Sequence, residues 1–291
     1  MSGAAGRRPA TDHAVNRCLN CDAELSGAFC AACGQRAVPA NPSVAEIARD
    51  AWEELSGYDG RIAATFRALP HPGRLTINYI EGRRARYLSP VRLYLIVSFV
   101  YFIVAAAAPQ QAQSGGEVRG PGGMRIGITN AAQMSEADRA AIIKDLEHAP
   151  WFMKPLLRAL AEDSAAFRAR LFTIMPRVFF AMLPVFAAIV ALFYRGRRFP
   201  VSLVFAVHLH AFAFLIFAVT EAAKFARLPA LEIGLGIVVA VTFLVYALAS
   251  ARAVFGGGWP TTILKAAGIG AVYLLAALPA FFIVMVWASL T

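Results

Sequence analysis

Five apolar runs mark this chain, at about 91–108, 174–194, 201–220, 233–250 and 266–288, with polar or arginine-rich links between them. Each approaches the ~20 residues that carry a helix across ~30 Å of hydrocarbon. Lipid offers a peptide group no hydrogen-bond partner, so all five runs are expected to be helices that close their backbone bonds internally. Leu88 extends the first and shortest run. Pro176, Pro184 and Pro279 fall near or inside runs, where neighbouring helices make a kink tolerable.

Shorter elements precede the first run. Asn41-Pro42 breaks the chain, and Ser43 with Glu46 forms a capping-box pattern opening a helix to about Leu55. A second short helix is expected over 60–69, stopped by Pro70 and Pro72. A third covers 76–87 and is strongly basic at its end, before Ser89-Pro90 opens the first span. The long 109–172 loop is rich in glutamine and glycine to about 127, and then predicts a helix over 135–148. Leu156, Leu160, Phe167 and Leu171 add an apolar stripe at helical spacing, suited to lying flat at an interface. No internal repeat of the inverted-transporter kind is evident.

Composition supports the membrane reading. Hydrophobic residues make up 58% of 291 residues, charged residues 16%, and mean hydropathy is +0.57. A soluble domain averages about 45–50% apolar and 25% charged. The net charge of +10 could suggest nucleic acid, but its placement favours a bilayer. Arg61, Arg67, Arg74, Arg83, Arg84, Arg86 and Arg92 precede or open the first span with Glu81 as the one acid among them. A basic juxtamembrane segment is drawn to anionic lipid by about 1 kcal/mol per charge near the surface. Arg83, Arg84 and Arg86 are the candidate membrane-surface residues, and nucleic-acid binding is the weaker reading.

The links decide the expected orientation. Arg195, Arg197 and Arg198 crowd the second link, and Arg252 and Lys265 flank the GGGWP link. With five crossings both links share a side with the amino terminus, which is therefore expected to be cytoplasmic, with the carboxyl terminus outside. The 109–172 loop carries eight Lys/Arg, yet long loops translocate largely regardless of charge. The first 30 residues contain no apolar core for a cleaved signal peptide.

Four cysteines carry the most specific chemistry. Cys18, Cys21, Cys30 and Cys33 form two Cys-x-x-Cys pairs, eight residues apart, within CLNCDAELSGAFCAACGQR. Each pair can turn two thiolates onto one ion, and the spacer is long enough for the hairpin that brings the pairs together. Gly34 leaves room for backbone amides to approach the sulfurs. Structural zinc on four thiolates is the expected cofactor; the same spacing could bind iron. A thioredoxin-type pair wants one motif in a strand–helix setting rather than two. A module this small needs the metal to fold, at about 10–16 kcal/mol for such sites.

His208 and His210 are the candidate intramembrane polar site, since polar groups in lipid mark pathways by default. Positions two apart point about 200° around a helix, so one helix cannot aim both rings at one ion. Packing against a neighbouring helix is the plainer alternative, with Tyr94, Ser98, Tyr101, Thr242 or Tyr246 as expected partners. No nucleophile motif, P-loop, His-Glu-x-x-His or paired intramembrane carboxylates are visible.

Three stretches, CLNCDAELSGAFCAACGQR, LPHPGRLTINYIEGRRARYLSPVRLYLIVSF and MPRVFFAMLPVFAAIVALFYRGRRFPVSLVFAVHLHAF, resemble the domain-of-unknown-function family 3667. The cysteine pairs, the Pro-Gly…Tyr-Ile-x-Gly-x-Arg-x-x-Tyr run and the His-x-His carry the resemblance. It implies a bacterial inner-membrane protein with a cytoplasmic zinc ribbon, and brings no established activity. The family pattern often places an acidic residue and a histidine before the Leu-Val-Phe-Ala stretch of the third span; here Val201 and Ser202 stand there.

The expected fold is thus an all-α multi-pass membrane protein of about five transmembrane helices with a small N-terminal zinc ribbon. Its expected parts are a disordered tail over 1–17, the ribbon over 18–36, a helical basic segment over 37–90, and the membrane domain over 91–291 with its outer loop. The leading functional expectation is a non-enzymatic adaptor or assembly factor, with the lipid bilayer and a protein at the cytoplasmic ribbon as partners. The alternative is a transporter of a small solute or protons through His208 and His210, alone or as a homo-oligomer. A lipid-modifying enzyme has the least support.

Overall fold

The computed structural model describes residues 17–37, 43–45, 47, 61–109, 117–119, 125–127, 150–151, 153–162 and 164–290. The helices expected over 135–148 and over most of 43–55 lie outside them.

Two short helices lead into the bundle: α1, Arg61–Ala68, and α2, Arg74–Ile80. The first matches the stretch ended by Pro70. The second stops at Ile80, well short of the helix expected to reach Tyr87. Gly82 turns with φ 87°, a left-handed conformation that breaks the helical ladder.

The five long helices are α3, Pro90–Ala107; α5, Ser164–Phe193; α6, Phe199–Ala223; α7, Pro229–Phe255; and α8, Trp259–Leu290. All five are long and apolar enough to cross a membrane. Most outrun the apolar runs by several residues, because hydrogen bonding continues into the interface after hydropathy has fallen. Pro90, Pro200 and Pro229 sit in the first turns of α3, α6 and α7, where their missing N–H costs no helical bond. Pro176, Pro184 and Pro279 lie within helices that run on through them.

Helix α6 is the centre. It packs on α3, α5 and α7, and 56% of its apolar window is buried, against 11% for α8, whose surface is left for lipid. Around it Leu93, Tyr94, Val97, Val190, Phe205 and Ala206 form the core. The aromatic residues divide: Phe180 is exposed, while Phe212 and Phe214 are buried, the former stacked on Tyr246.

The 109–172 connection holds a departure from the all-helical expectation. Strands β1, Glu117–Arg119, and β2, Arg125–Gly127, pair antiparallel with Val118 opposite Ile126. Helix α4, Lys154–Glu162, follows. Its Leu156, with Phe167 and Ile174 of α5, packs on Ala288 of α8. That part of the apolar stripe packs on the bundle.

Candidate metal centre and intramembrane histidines

The cysteine module is built twice on one local plan, twelve residues apart. In the first knuckle the Cys18 N–H donates to the Ala23 carbonyl, and the Asp22 N–H to the Cys18 carbonyl, both at 2.8 Å. In the second the Cys30 N–H donates to the Gln35 carbonyl at 2.7 Å and the Gly34 N–H to the Cys30 carbonyl at 2.8 Å. The residue after each second cysteine is left-handed, Asp22 at φ 62° and Gly34 at 71°. Bridges Arg17–Glu24 and Phe29–Arg36 close the two loops at equivalent places. Glycine at 34 signals its turn in the sequence. Asp22 conceals its own, although aspartate is among the few side chains that tolerate this conformation, and it also pairs with Arg17 at 2.8 Å.

This doubling brings all four sulfurs within 4.8 Å of one another, with Cys18–Cys33 and Cys21–Cys30 at 3.6 Å. A disulfide needs ~2.05 Å, so these are free thiols. Four sulfurs at 2.3 Å from a tetrahedral ion would stand ~3.8 Å apart, and the cluster fits that figure. Its electrostatics fit too. For Cys33, burial raises the pKa, but the Gln35 backbone N–H and the Asn20 side chain overcome it and bring the thiol down to about 7. For Cys21 the Ala23 N–H lowers it, but the Cys33 sulfur, burial and the Cys30 and Cys18 sulfurs push it up to about 12. Thiolates this close resist joint ionisation, and a central divalent cation removes the conflict. The cluster can therefore hold a metal ion and leaves it no open position for chemistry.

The module does not hang free. Gln35 is buried, and its Nε2 donates to the Gly82 carbonyl while its Oε1 accepts the Arg84 and Ala85 N–H groups, each at 2.9 Å. Gly82 faces Leu19 so closely that a Cβ there would run into the leucine side chain. The receiving loop is knitted internally: Arg84 lies over the Tyr79 ring at 4.9 Å, and Arg83 bonds Asn78 at 2.7 Å and pairs with Glu81. Arg86 is the exposed member of the basic trio. The Tyr-Ile-x-Gly-x-Arg pattern is thus the seat on which the cysteine module rests. Gln35 carried no signal in the sequence beyond following Gly34.

Helix α2 and the turn before it wedge between α6 and α7. Thr76 Oγ1 and His208 Nδ1 are hydrogen-bonded at 3.0 Å, and the Tyr246 hydroxyl donates to the Leu69 carbonyl at 2.8 Å. Both contacts lie two and a half turns, ~13 Å, in from the ends of α6 and α7. Gly73, at φ 74°, admits the close pass, since a Cβ there would stand 2.9 Å from the Ala253 Cβ. The expected His208 partners were on spans; Thr76 of the wedge takes the bond instead. His210 points elsewhere, bonded to the Ala206 carbonyl at 2.8 Å and edge-on to Phe186 at 5.0 Å. The two imidazoles do not share a site. Glu221 and Lys224, at the far end of α6, pair at 2.6 Å.

Residues 59–102 match the sequence model of a family described as "Protein of unknown function (DUF3667)". The match takes in α1, the wedge, the receiving loop and most of α3. The cysteine module and the 175–212 stretch lie outside it. No curated protein and no solved structure matches the chain.

Proposed function

We propose that this protein is a membrane-anchored adaptor, in which a structural zinc ion holds a small ribbon whose free face recruits a cytosolic protein. The observation that carries the proposal is the ribbon's two-sidedness. Leu19 of the first knuckle and Gln35 of the second fasten the ribbon to the 82–85 loop, while Phe29, at the start of the second, is 62% exposed with exposed Ala28, Ala31 and Ala32 beside it. An exposed aromatic on a rigid, metal-clasped turn is the kind of anchor around which protein interfaces form. Four thiolates in tetrahedral array favour zinc over harder ions. The chain sits in the inner membrane of a bacterium with the ribbon and the arginine-rich links on the cytoplasmic side, as the loop charges favour. Arg83, Arg84 and Arg86 lie at the lipid surface and steady the ribbon there, Arg86 being the exposed one of the three and lying over the Tyr87 ring at 6.0 Å.

Transport through the histidines finds less support. Beside His208 the wedge leaves a gap of about 10 Å³, at or below the ~10–15 Å³ one water needs. His210 lines a separate, apolar cleft.

The test compares intact protein purified in mild detergent from native membranes with its Phe29→Asp and Cys30→Ser variants. The expected result is one zinc per chain in the parent and in Phe29→Asp, none in Cys30→Ser, and a partner that both substitutions release. If Phe29→Asp keeps every companion of the parent, the ribbon face is not a recruiting surface.

A further inference from the structure

Helices α5, α6, α7 and α8 touch in a closed ring, each packing on the next and α8 on α5. The ring does not fill its centre. A cleft of about 360 Å³ remains, walled by Phe186, Leu209, Ala247, Ile269 and Leu274. Small residues keep it open: Ala213, Ala247 and Gly270 line it, and a Cβ added at Gly270 meets nothing within 4 Å. Leu244 and Leu274 line its rim and are 58% and 63% exposed, so the cleft opens sideways between α7 and α8, toward the bilayer. From Ala266 to Leu274 its α8 wall runs ~12 Å, most of the ~15 Å depth of one leaflet.

A cation stands beside one end of this slot. Tyr194 lines it, stacked on Phe255 at 4.2 Å and covered by the Lys265 ammonium at 4.5 Å. Tyr194 is 8% exposed, yet its hydroxyl has no hydrogen-bond partner among the described residues. Arg195, Arg197 and Arg198 follow directly in the chain, Arg252 stands in the last turn of α7, and neither 194–200 nor 251–266 contains an acidic residue. A narrow apolar slot, with a hydroxyl and beside it an ammonium that have no hydrogen-bond or carboxylate partner among the described residues, fits a phosphodiester with an acyl chain.

We propose that this cleft binds an anionic phospholipid, one acyl chain lying among α5–α8 and the phosphate meeting Lys265 and the Tyr194 hydroxyl. A zwitterionic headgroup would bring a cation to a place that offers it no carboxylate, so the site discriminates by headgroup charge. The proposal does not depend on the adaptor role.

The test uses delipidated full-length protein in detergent, offered phosphatidylglycerol and phosphatidylcholine of matched chains, with retained lipid read by native mass spectrometry. The parent is expected to keep one phosphatidylglycerol with a preference of about fivefold, the weight of roughly one cation near anionic lipid. Lys265→Gln should bring the two lipids toward parity while a chain is still held. Gly270→Phe, and independently Ala247→Leu on the facing wall, should lose both lipids with helical content and melting temperature preserved. Equal retention of the two lipids by the parent would overturn the charge assignment. Unchanged occupancy in both filled variants would overturn the site.

Discussion

Gln35 turns both ends of its amide to the 82–85 backbone, donating once and accepting twice. Net contributions of about 1 kcal/mol per bond make it worth ~2–3 kcal/mol of docking. Gln35→Ala should therefore free the Arg84 and Ala85 amides to exchange with solvent by one to two orders of magnitude faster, with metal content unchanged. The Thr76–His208 bond is a similar single contact between wedge and span. Thr76→Val or His208→Leu alone strands a buried polar partner, for a loss of ~1–2 kcal/mol. The double variant should lose less than the two singles summed. Additive melting shifts in detergent would show that the contact contributes nothing. Neither pairing was legible in the sequence, because each joins residues far apart whose types are ordinary.

Gly82 is the hinge on which the cysteine module meets its seat. Its left-handed backbone and its contact with Leu19 are separate obstacles to a side chain. Gly82→Ala should weaken docking by ~1–2 kcal/mol for the backbone alone, and more for the clash. Adding Leu19→Ala should recover the second part and not the first, read as amide exchange at Arg84. The elements themselves were largely legible. Apolar runs of spanning length marked all five long helices, and Pro70 marked the end of α1. The end of α2 was hidden because Arg83, Arg84 and Arg86 are good helix formers, and the left-handed turn at Gly82 overrode their propensity. The cysteine knuckles were legible from spacing; the equivalence of Asp22 with Gly34 was not, since an aspartate has many other reasons to stand in a turn.

At the scale of the whole molecule, ribbon, loop, wedge and bundle form one chain of contact. Gln35 and Leu19 seat the cysteine module on the 82–85 loop, α2 runs from that loop into the bundle, and His208 and Tyr246 hold the wedge there. The family match at 59–102 covers the middle of that chain, so the segment it singles out is the one that couples head to body. On the proposed reading a bound metal is the least replaceable part, because a module of this size has almost no core beyond its sulfurs. Stripping the ion should release the ribbon and leave the five spans folded, with helical content in detergent falling by less than a tenth.

Amide exchange at Arg84 and Ala85 in the membrane-embedded protein, before and after removal of the metal by a chelator, tests this coupling most directly. Both amides should be protected in the loaded protein and fast in the stripped one, with the protection of α6 unmoved. Equal protection in the two states, or thiols found oxidised to one another, would contradict a metal-clasped head seated on the wedge.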